Sequence, residues 1–507
     1  MANILKSPIF WGKKTKILFV ASEAGPYVSV GGLGGVMHSL PKALKELDYD
    51  ARLFIPKYAS AAIKNCQLKM ELSQFKVAEN DPNGLFVSNV LKCEKEDEPI
   101  VYFLENQEYY EKRANVYGYA DDAVRWLLLC KGTIEFLKKS LWKPDVIVVS
   151  DWQTGFLPNL LATEYKNDPD LKNIASVFSI HNLHYQGMFD HHFVSEMDFD
   201  AGQQAIPDFD DPIIAKLNGM RRGIMFADAI NTVSPTYSQE ILNPEWGEGL
   251  HELLKERRAR LFGILNGIDY NLLNPKTDSH IKKHYSVADF SEGKEANKLV
   301  LQKQFGLEIN KEKFVLGIVS RLDEQKGFDL IMEISDQLFQ NLDFQMVVVG
   351  GGDNKYRLFF QSLEQKYPGR IAGHYFFDPI LPRLVFAGAD AILIPSRFEP
   401  CGLVQMEAMR YGAIPVARAV GGLQDTVIDF DPKQETGNGF VFKNFNPFAL
   451  LVAVVRAAET FRNKKEWRNL VKRAMKEDFS WSRSAEKYAE LFSLAMKFHK
   501  EKLEELI

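Results

Sequence analysis

Cysteine is scarce in this chain: four residues (Cys66, Cys93, Cys130, Cys401) in 507, none of them in a CxxC pair. That spacing offers neither a disulfide framework nor a zinc site, and it predicts reduced thiols in a cytoplasmic compartment. A long apolar run is missing too. No stretch approaches the ~18 consecutive apolar residues that cross a bilayer, and Met1 to Lys16 lacks the apolar core of a secretory leader. The expectation is a chain with no membrane partner and no leader. Positive charge is not in excess: 62 Lys and Arg stand against 67 Asp and Glu, a formal net charge of −5. A nucleic-acid partner is therefore not expected, because phosphate-backbone binding needs a basic face. An anionic small ligand would have to find locally placed Arg and Lys. Low-complexity segments are absent, and 46% hydrophobic with 25% charged residues is the make-up of a globular protein. At this length two or three domains are expected, and nothing in the pattern sets an oligomeric state.

What is present is a series of short, continuous apolar runs ending in polar or glycine-rich turns. Lys16–Ser22, Asp145–Ser150, Ser176–Ile180 and Ala229–Ser234 form one group, and Phe314–Ser320, Phe344–Gly350 and Ala391–Ser396 a second. Continuous rather than alternating hydrophobicity predicts strands buried on both faces. Between them, Asp121–Leu141 places Val124, Leu127, Leu128, Ile134, Leu137 and Leu141 on one side of a helix. Strands alternating with helices predict parallel α/β sheets, with material for two. The seam is expected near Arg260–Pro275, and a helical segment over Ser480–Glu505 ends the chain.

The chemistry is expected at the carboxyl ends of the strands, where such sheets bind ligands. Gly31-Gly32-Leu33-Gly34-Gly35 follows the first strand. Its glycines fit a phosphate cradle at a helix N-terminus and fit a tight turn equally well. A dinucleotide fingerprint fails, because the sixth position counted from Gly32 is Met37. Gly421-Gly422-Leu423 repeats the element in the second half, and Gly350-Gly351-Gly352 ends another strand. Arg321 and Lys326, just after Phe314–Ser320, suit a diphosphate or simply a solvated loop. Pro395 to Leu403 carries Glu399, Cys401 and Gly402, with Glu407 eight residues after Glu399. A carboxylate there accepts from sugar hydroxyls, while Glu407 also reads as a helix-surface residue. His181-Asn182-Leu183-His184-Tyr185, with His191 and His192, invites a metal reading. No acidic or cysteine ligand pattern accompanies these histidines, so no metal is expected and a carbohydrate site fits better. Asp151-Trp152, at another strand end, has the same character; the alternative is a helix N-cap and a packed Trp.

Taken together, these residues resemble the bacterial glycogen synthases and plant starch synthases along almost the whole length. The matching elements are VGGLG, SDWQTG, HNLHYQGMF, VSPTYSQEI, LNGID, VSRLDEQKG, PSRFEPCGL, VGGLQDTV and FSW, in the family's order. The resemblance implies a GT-B fold: two Rossmann-like domains facing across a cleft, residues 1–262 on the acceptor side and 263–479 on the nucleotide-sugar side. Residues 480–507 would form a helix crossing back to the first domain. It implies a retaining transfer of glucose from a nucleoside-diphosphate glucose, by family affinity ADP-glucose, to the 4-hydroxyl of an α-1,4-glucan. No cofactor beyond the donor is implied. Arg321, Lys326 and the N–H groups of Gly402 and Leu403 would hold the diphosphate. Glu399 would bind the glucose hydroxyls, and His181 and Asp151 would face the sugar. The donor set extends to Ser29, Gly31, Gly32, Cys401 and Glu407, with Phe376 against the nucleobase. Tyr119, Asp121, Arg125, Trp152 and Tyr185 are carried over to the acceptor side.

Three positions depart from the family pattern. The usual lysine of K-x-G-G-L is Ser29, the usual acidic residue of that loop is Gly35, and H-D-W-H reads Ser150-Asp151-Trp152-Gln153. All three fall in the acceptor-side half. Two other functions therefore stand beside the synthase: a catalytically weakened glucan-binding relative, and a retaining transferase for UDP-glucose or another acceptor.

Overall fold

Each of the seven apolar runs forms a strand that is buried along nearly its whole length. The computed structural model describes residues 14–59, 63 and 66–505. The chain falls into two units: unit 1 comprises Met1–Thr232, Ile241–Phe262 and Ser484–Ile507, and unit 2 comprises Val233–Glu240 and Gly263–Arg483.

The sheet of unit 1 is built from β1 (Lys16–Val20), β2 (Asp50–Pro56), β3 (Lys69–Lys76), β4 (Val87–Cys93), β5 (Ile100–Glu105), β6 (Val146–Ser150), β7 (Ala175–Ile180), β8 (Ala229–Thr232) and β9 (Leu261–Gly263). Its order is β3-β4-β5-β2-β1-β6-β7-β8-β9. From β5 to β8 every neighbouring pair is parallel, whereas β3 and β4 add an antiparallel edge. The parallel part has the doubly wound order 3-2-1-4-5-6, whose direction reverses between β1 and β6.

Unit 2 holds β10 (Phe314–Val319), β11 (Phe344–Val349), β12 (Ile371–His374), β13 (Ala391–Ile394), β14 (Ile414–Arg418) and β15 (Phe440–Phe442), ordered β12-β11-β10-β13-β14-β15. All five pairs are parallel. The order is again 3-2-1-4-5-6, with its reversal between β10 and β13. Each unit thus carries a Rossmann-like parallel sheet, as expected for a GT-B chain. A single apolar core runs through unit 2, from Val315 and Ile331 to Leu450 and Leu470.

The predicted helix over Asp121–Leu141 spans Asp122–Lys139, and the last helix spans Trp481–Glu504. From Ser484 onward that helix belongs to unit 1. There Tyr488 Oη accepts from Asn231 Nδ2 at 3.1 Å, Phe492 meets the Phe19 ring edge-on at 6.4 Å, and His499 Nδ1 lies 3.0 Å from Asp228 Oδ2. The seam is less simple than a break at Phe262. Helix Pro235–Glu240 joins unit 2, where Asp425 accepts from Thr236 N at 2.9 Å and from Thr236 Oγ1 at 2.7 Å.

The cysteine expectation needs correction. Cys66 and Cys93 form a disulfide, with their Cα atoms 6.0 Å apart. Their separation of 27 residues carries no signal in the sequence. Cys130 and Cys401 are free and buried. Among the described residues no helix is long and apolar enough to cross a membrane.

Candidate functional site

In unit 2 the loop after β10 is locked onto the end of β13, on either side of the sheet's reversal. Gly327 has φ +71°, and a Cβ there would lie 2.1 Å from Pro395 O, so a glycine is required for the approach. Arg397 N donates to Gln325 O at 2.8 Å, and Gln325 Nε2 donates to Phe398 O at 3.2 Å. This register brings Lys326 Nζ to 2.7 Å from Glu399 Oε2, which also accepts from Ser396 Oγ at 2.9 Å. The ion pair is shielded, its side chains 17% and 10% exposed. Arg321 differs: its side chain is 68% exposed, with long contacts to Asp323 (3.3 Å) and Gln325 (3.4 Å). A cavity of about 60 Å³ lies beneath, lined among others by Lys326, Ser396, Glu399 and Leu403.

The other donor-side candidates occupy the same carboxyl edge. Gly402, at φ +69°, and Leu403 lead into helix Val404–Arg410. Cys401 is buried, and that burial pushes its thiol up to about 12, so it is not a thiolate at neutral pH. Glu407 sits in the helix's first turn; burial pushes its carboxyl up to about 7, against the pull of Arg383. It is not a plain surface residue. Phe376 follows β12 and is 66% exposed, next to Gly351, whose Cβ would lie 3.5 Å from Phe376 Cα.

The Gly421-Gly422 loop has a structural task. Gly421 N donates to Glu240 Oε1 at 3.0 Å and Gly422 N to Glu399 O at 3.1 Å. A Cβ on Gly421 would lie 1.9 Å from Glu399 O. These glycines let the end of β14 press against the segment that holds Glu399.

Unit 1 builds a second cluster at its own reversal, at the ends of β1, β6 and β7. Asp151 accepts from His181 N at 2.7 Å and Asn182 N at 3.3 Å. It does so from a left-handed backbone (φ +57°) as the first residue of helix Asp151–Thr154, whose N-cap position falls to Ser150. The N-cap alternative is thus replaced by a tether between β6 and β7. Burial pushes the Asp151 carboxyl up to about 7. Burial also pushes the His181 imidazole down to about 4, with Glu23 opposing, and leaves its Nε2 buried without a hydrogen-bond partner. His181 is therefore neutral at pH 7.

Two members of this cluster escaped the sequence reading, Glu23 and Tyr117. Glu23 is 2% exposed directly after β1, and its carboxylate accepts from the backbone N–H groups of Val30 and of Gly31, the latter at 3.2 Å. Tyr117 Oη lies 2.8 Å from Ser22 Oγ, and burial followed by the charge of Glu23 raises its pKa. The signal available was an acidic residue closing an apolar strand. Glu23 also bears on the first glycine loop: its carboxylate holds the Gly31 N–H, as in the tight-turn arrangement that the glycines also fit. Gly32 begins helix Gly32–Glu46, and exposed Ser29 contributes a long contact to Gly31 O at 3.4 Å.

The acceptor-side candidates divide. Tyr185 is 57% exposed and offers a ring face, whereas Trp152 is 6% exposed and packed, so it offers none. Arg125 is wholly buried; it donates to Tyr109 O at 2.8 Å and Val116 O at 2.9 Å and pairs with Asp122. It is an internal strut. Asp121 pairs with Arg113 at 2.7 Å, and the Tyr119 ring lies beneath Arg113 and Arg125 at 5.0 and 4.9 Å. Lys57 is likewise committed, to Glu105 at 2.6 Å and to Glu111.

Residues 16–256 match the family model described as the starch synthase catalytic domain, and residues 301–476 match glycosyl transferases group 1. A glycogen synthase of Clostridium perfringens is 42% identical over 487 residues, covering 96% of this chain and 99% of that one. A glycogen synthase of Thermotoga maritima is 42% identical, covering 95% and 99%. The solved catalytic domain of starch synthase IV from Arabidopsis thaliana, bound to ADP and acarbose, superposes with a TM-score of 0.83 at 32% identity, covering 96% of this chain and 100% of that one. A sucrose-phosphate synthase from Thermosynechococcus elongatus, at 18% identity and a TM-score of 0.57, shares the fold.

Proposed function

Because the chain belongs to the glycogen synthase and starch synthase family of glycosyltransferases, we propose that it transfers glucose from ADP-glucose, with retention, to the non-reducing-end 4-hydroxyl of an α-1,4-glucan. The observation that carries this reading is the Lys326–Glu399 pair at the reversal of the unit 2 sheet. It sets a cation for a phosphate beside a carboxylate for sugar hydroxyls. The Arabidopsis relative, whose structure holds ADP and acarbose, supports the choice of donor and of a glucan acceptor.

The bond from the anomeric carbon to the diphosphate oxygen breaks, and a bond from that carbon to the acceptor O4 forms. The acceptor's proton ends on the departing diphosphate. Charge builds on the diphosphate as the sugar acquires oxocarbenium character, so preorganised cations and N–H donors supply the largest stabilisation. Lys326 and Arg321 take that role with the N–H groups of Gly402 and Leu403, and Glu399 orients the glucose. Phe376, exposed at the end of β12, stacks on the nucleobase. Asp151 and a neutral His181 are assigned to the sugar by the family resemblance.

A donor panel tests the reading. Purified protein is incubated with glycogen and ¹⁴C-glucose as the ADP or the UDP derivative, and polymer-bound label is counted. Label from ADP-glucose in excess of UDP-glucose, released by an α-1,4-specific hydrolase, is the expected result. Preference for UDP-glucose would overturn the donor assignment. Glycogen binding with no incorporation from either donor would identify a glucan-binding relative that has lost transfer.

A further inference from the structure

Outside the transfer residues, unit 1 gathers three imidazoles and a carboxylate on one loop surface. His191 and His192 sit on a single 3-10 turn, His191–Phe193, and His184 lies seven residues earlier. Glu248 arrives from 57 residues beyond His191 and adds a second carboxylate beside that of Asp190, which directly precedes the pair. One ligand atom from each of His184, His191 and Glu248 lies within 4.8 Å of the others. We propose that His184, His191 and Glu248 form a binding site for a divalent transition-metal ion of the zinc class, with His192 beside it.

The donor set fits such an ion: imidazole nitrogens and a carboxylate suit zinc and its neighbours, not magnesium or calcium. The spacing fits as well. Four ligands at about 2.0–2.1 Å around a tetrahedral ion stand about 3.4 Å from one another. His184 Nδ1 lies 3.5 Å from Glu248 Oε1, and His192 Nε2 lies 3.3 Å from Glu248 Oε2. The His191 Nε2 to Glu248 Oε2 contact, 2.8 Å, is a hydrogen bond that an ion would replace. Side-chain exposures of 10% for His191 and 23% for Glu248 mark the sheltered half; His184 and His192, at 44% and 51%, leave an access route from solvent.

The outer contacts point the same way. Asp190 Oδ1 lies 2.8 Å from His192 Nδ1, which fixes the proton on Nδ1 and turns Nε2 toward Glu248. Gln186 Nε2 donates to Glu248 O at 2.7 Å while its Oε1 accepts from Asn218 Nδ2 at 2.8 Å. Those contacts hold Glu248 in a left-handed backbone (φ +47°) that a non-glycine residue seldom adopts. The segment between β7 and helix Gly219–Phe226 carries no element longer than a 3-10 turn among the described residues. An ion here clamps that segment to the Glu248 loop.

Untagged full-length protein, stripped with chelator, is titrated calorimetrically with ZnCl₂ and, as a control, MgCl₂. The expected result is one zinc per chain with a dissociation constant in the micromolar range or below, no magnesium heat, and a rise in Tm with zinc. Co²⁺ is expected to give the intense visible absorption of a four-coordinate site. His191→Ala and the isosteric Glu248→Gln are each expected to abolish the cobalt spectrum, and Asp190→Asn to weaken zinc binding about tenfold. Circular dichroism confirms that each variant is folded. A wild type that binds no stoichiometric zinc would mean that the cluster is a hydrogen-bond network, and binding unaltered in both His191→Ala and Glu248→Gln would place the ion elsewhere; either result overturns the site.

Discussion

The Lys326–Glu399 pair makes one side chain's removal felt twice, in stability and in turnover, and the two readouts separate under a double mutant. Lys326→Met leaves the Glu399 carboxylate shielded and without its cation. Removing one partner of a fully buried pair costs about 3–5 kcal/mol, but this pair keeps 17% and 10% exposure. A charged hydrogen bond's loss, about 2–3 kcal/mol, is the better figure. For a body the size of unit 2 each kcal/mol moves Tm by about 2–4 °C, so a fall of roughly 4–12 °C is expected in calorimetry. Glu399→Gln keeps an oxygen for Ser396 and removes the charge. Combined with Lys326→Met it eliminates the stranded carboxylate, and the double variant is expected to recover at least about 1 kcal/mol relative to the sum of the singles. Activity does not recover, because phosphate and sugar each lose their partner. All three variants are expected to fall by about 100-fold or more in kcat/KM for ADP-glucose. Stability losses that simply add would refute the coupling. A double variant with near wild-type turnover would refute the assignment of both residues.

Three further outcomes are expected. Ser29→Lys adds a cation at an exposed loop position where Lys57 and Arg125 are already committed, and it is expected to raise donor kcat/KM by about tenfold or more; Ser29→Ala is expected to change little, and no response to either removes the missing-cation account. The acid limb of the kcat–pH profile is expected near 7, where Asp151 and Glu407 both lose their protons; Asp151→Asn, which tolerates the left-handed backbone, is expected to leave only the Glu407 contribution at low residual activity. Burial alone would lower the His499 pKa and raise that of Asp228, but the bond between them reverses both. The His499 contribution is full below the ordinary imidazole value of about 6.5 and is lost as pH rises through the raised folded value. The depressed Asp228 makes its contribution above the ordinary carboxylate value and loses it as pH falls. The Tm gap between wild type and His499→Gln is expected to close on the alkaline side.

Legibility followed burial only in part, since β5 (IVYFLE) and β14 (IPVAR) are mostly buried and were not singled out as runs. The strands covered on both faces, such as Phe314–Val319, announce themselves as apolar runs; β3, largely exposed and reading KMELSQFK, does not. The site residues at strand ends were readable for the same reason, because an apolar run ending in Arg321 or Asp151 marks its own carboxyl edge. What could not be read was long-range. Glu23 is a lone acid until Val30 and Gly31 fold back over it, and Glu248 is a loop residue until the histidines meet it. The glycine loops looked like phosphate cradles because glycine serves anion binding and close backbone approach equally. The Gly421 contact with the segment holding Glu399 favours close approach, and no local pattern distinguishes the two.

The assignment of Ser484–Ile507 to unit 1 has a consequence for biosynthesis. An amino-terminal body ordinarily completes itself while the remainder is still being made. Here about 220 residues, Gly263 to Arg483, must leave the ribosome first. At about 5–20 residues per second that is a delay of roughly 10–45 s. Throughout it Phe19 lacks the aromatic edge of Phe492, and Asp228 and Asn231 lack His499 and Tyr488. The nascent amino-terminal half therefore keeps these partners unpaired until the Trp481–Glu504 helix arrives, and a chain halted short of Ser484 is expected to be less stable than the full one.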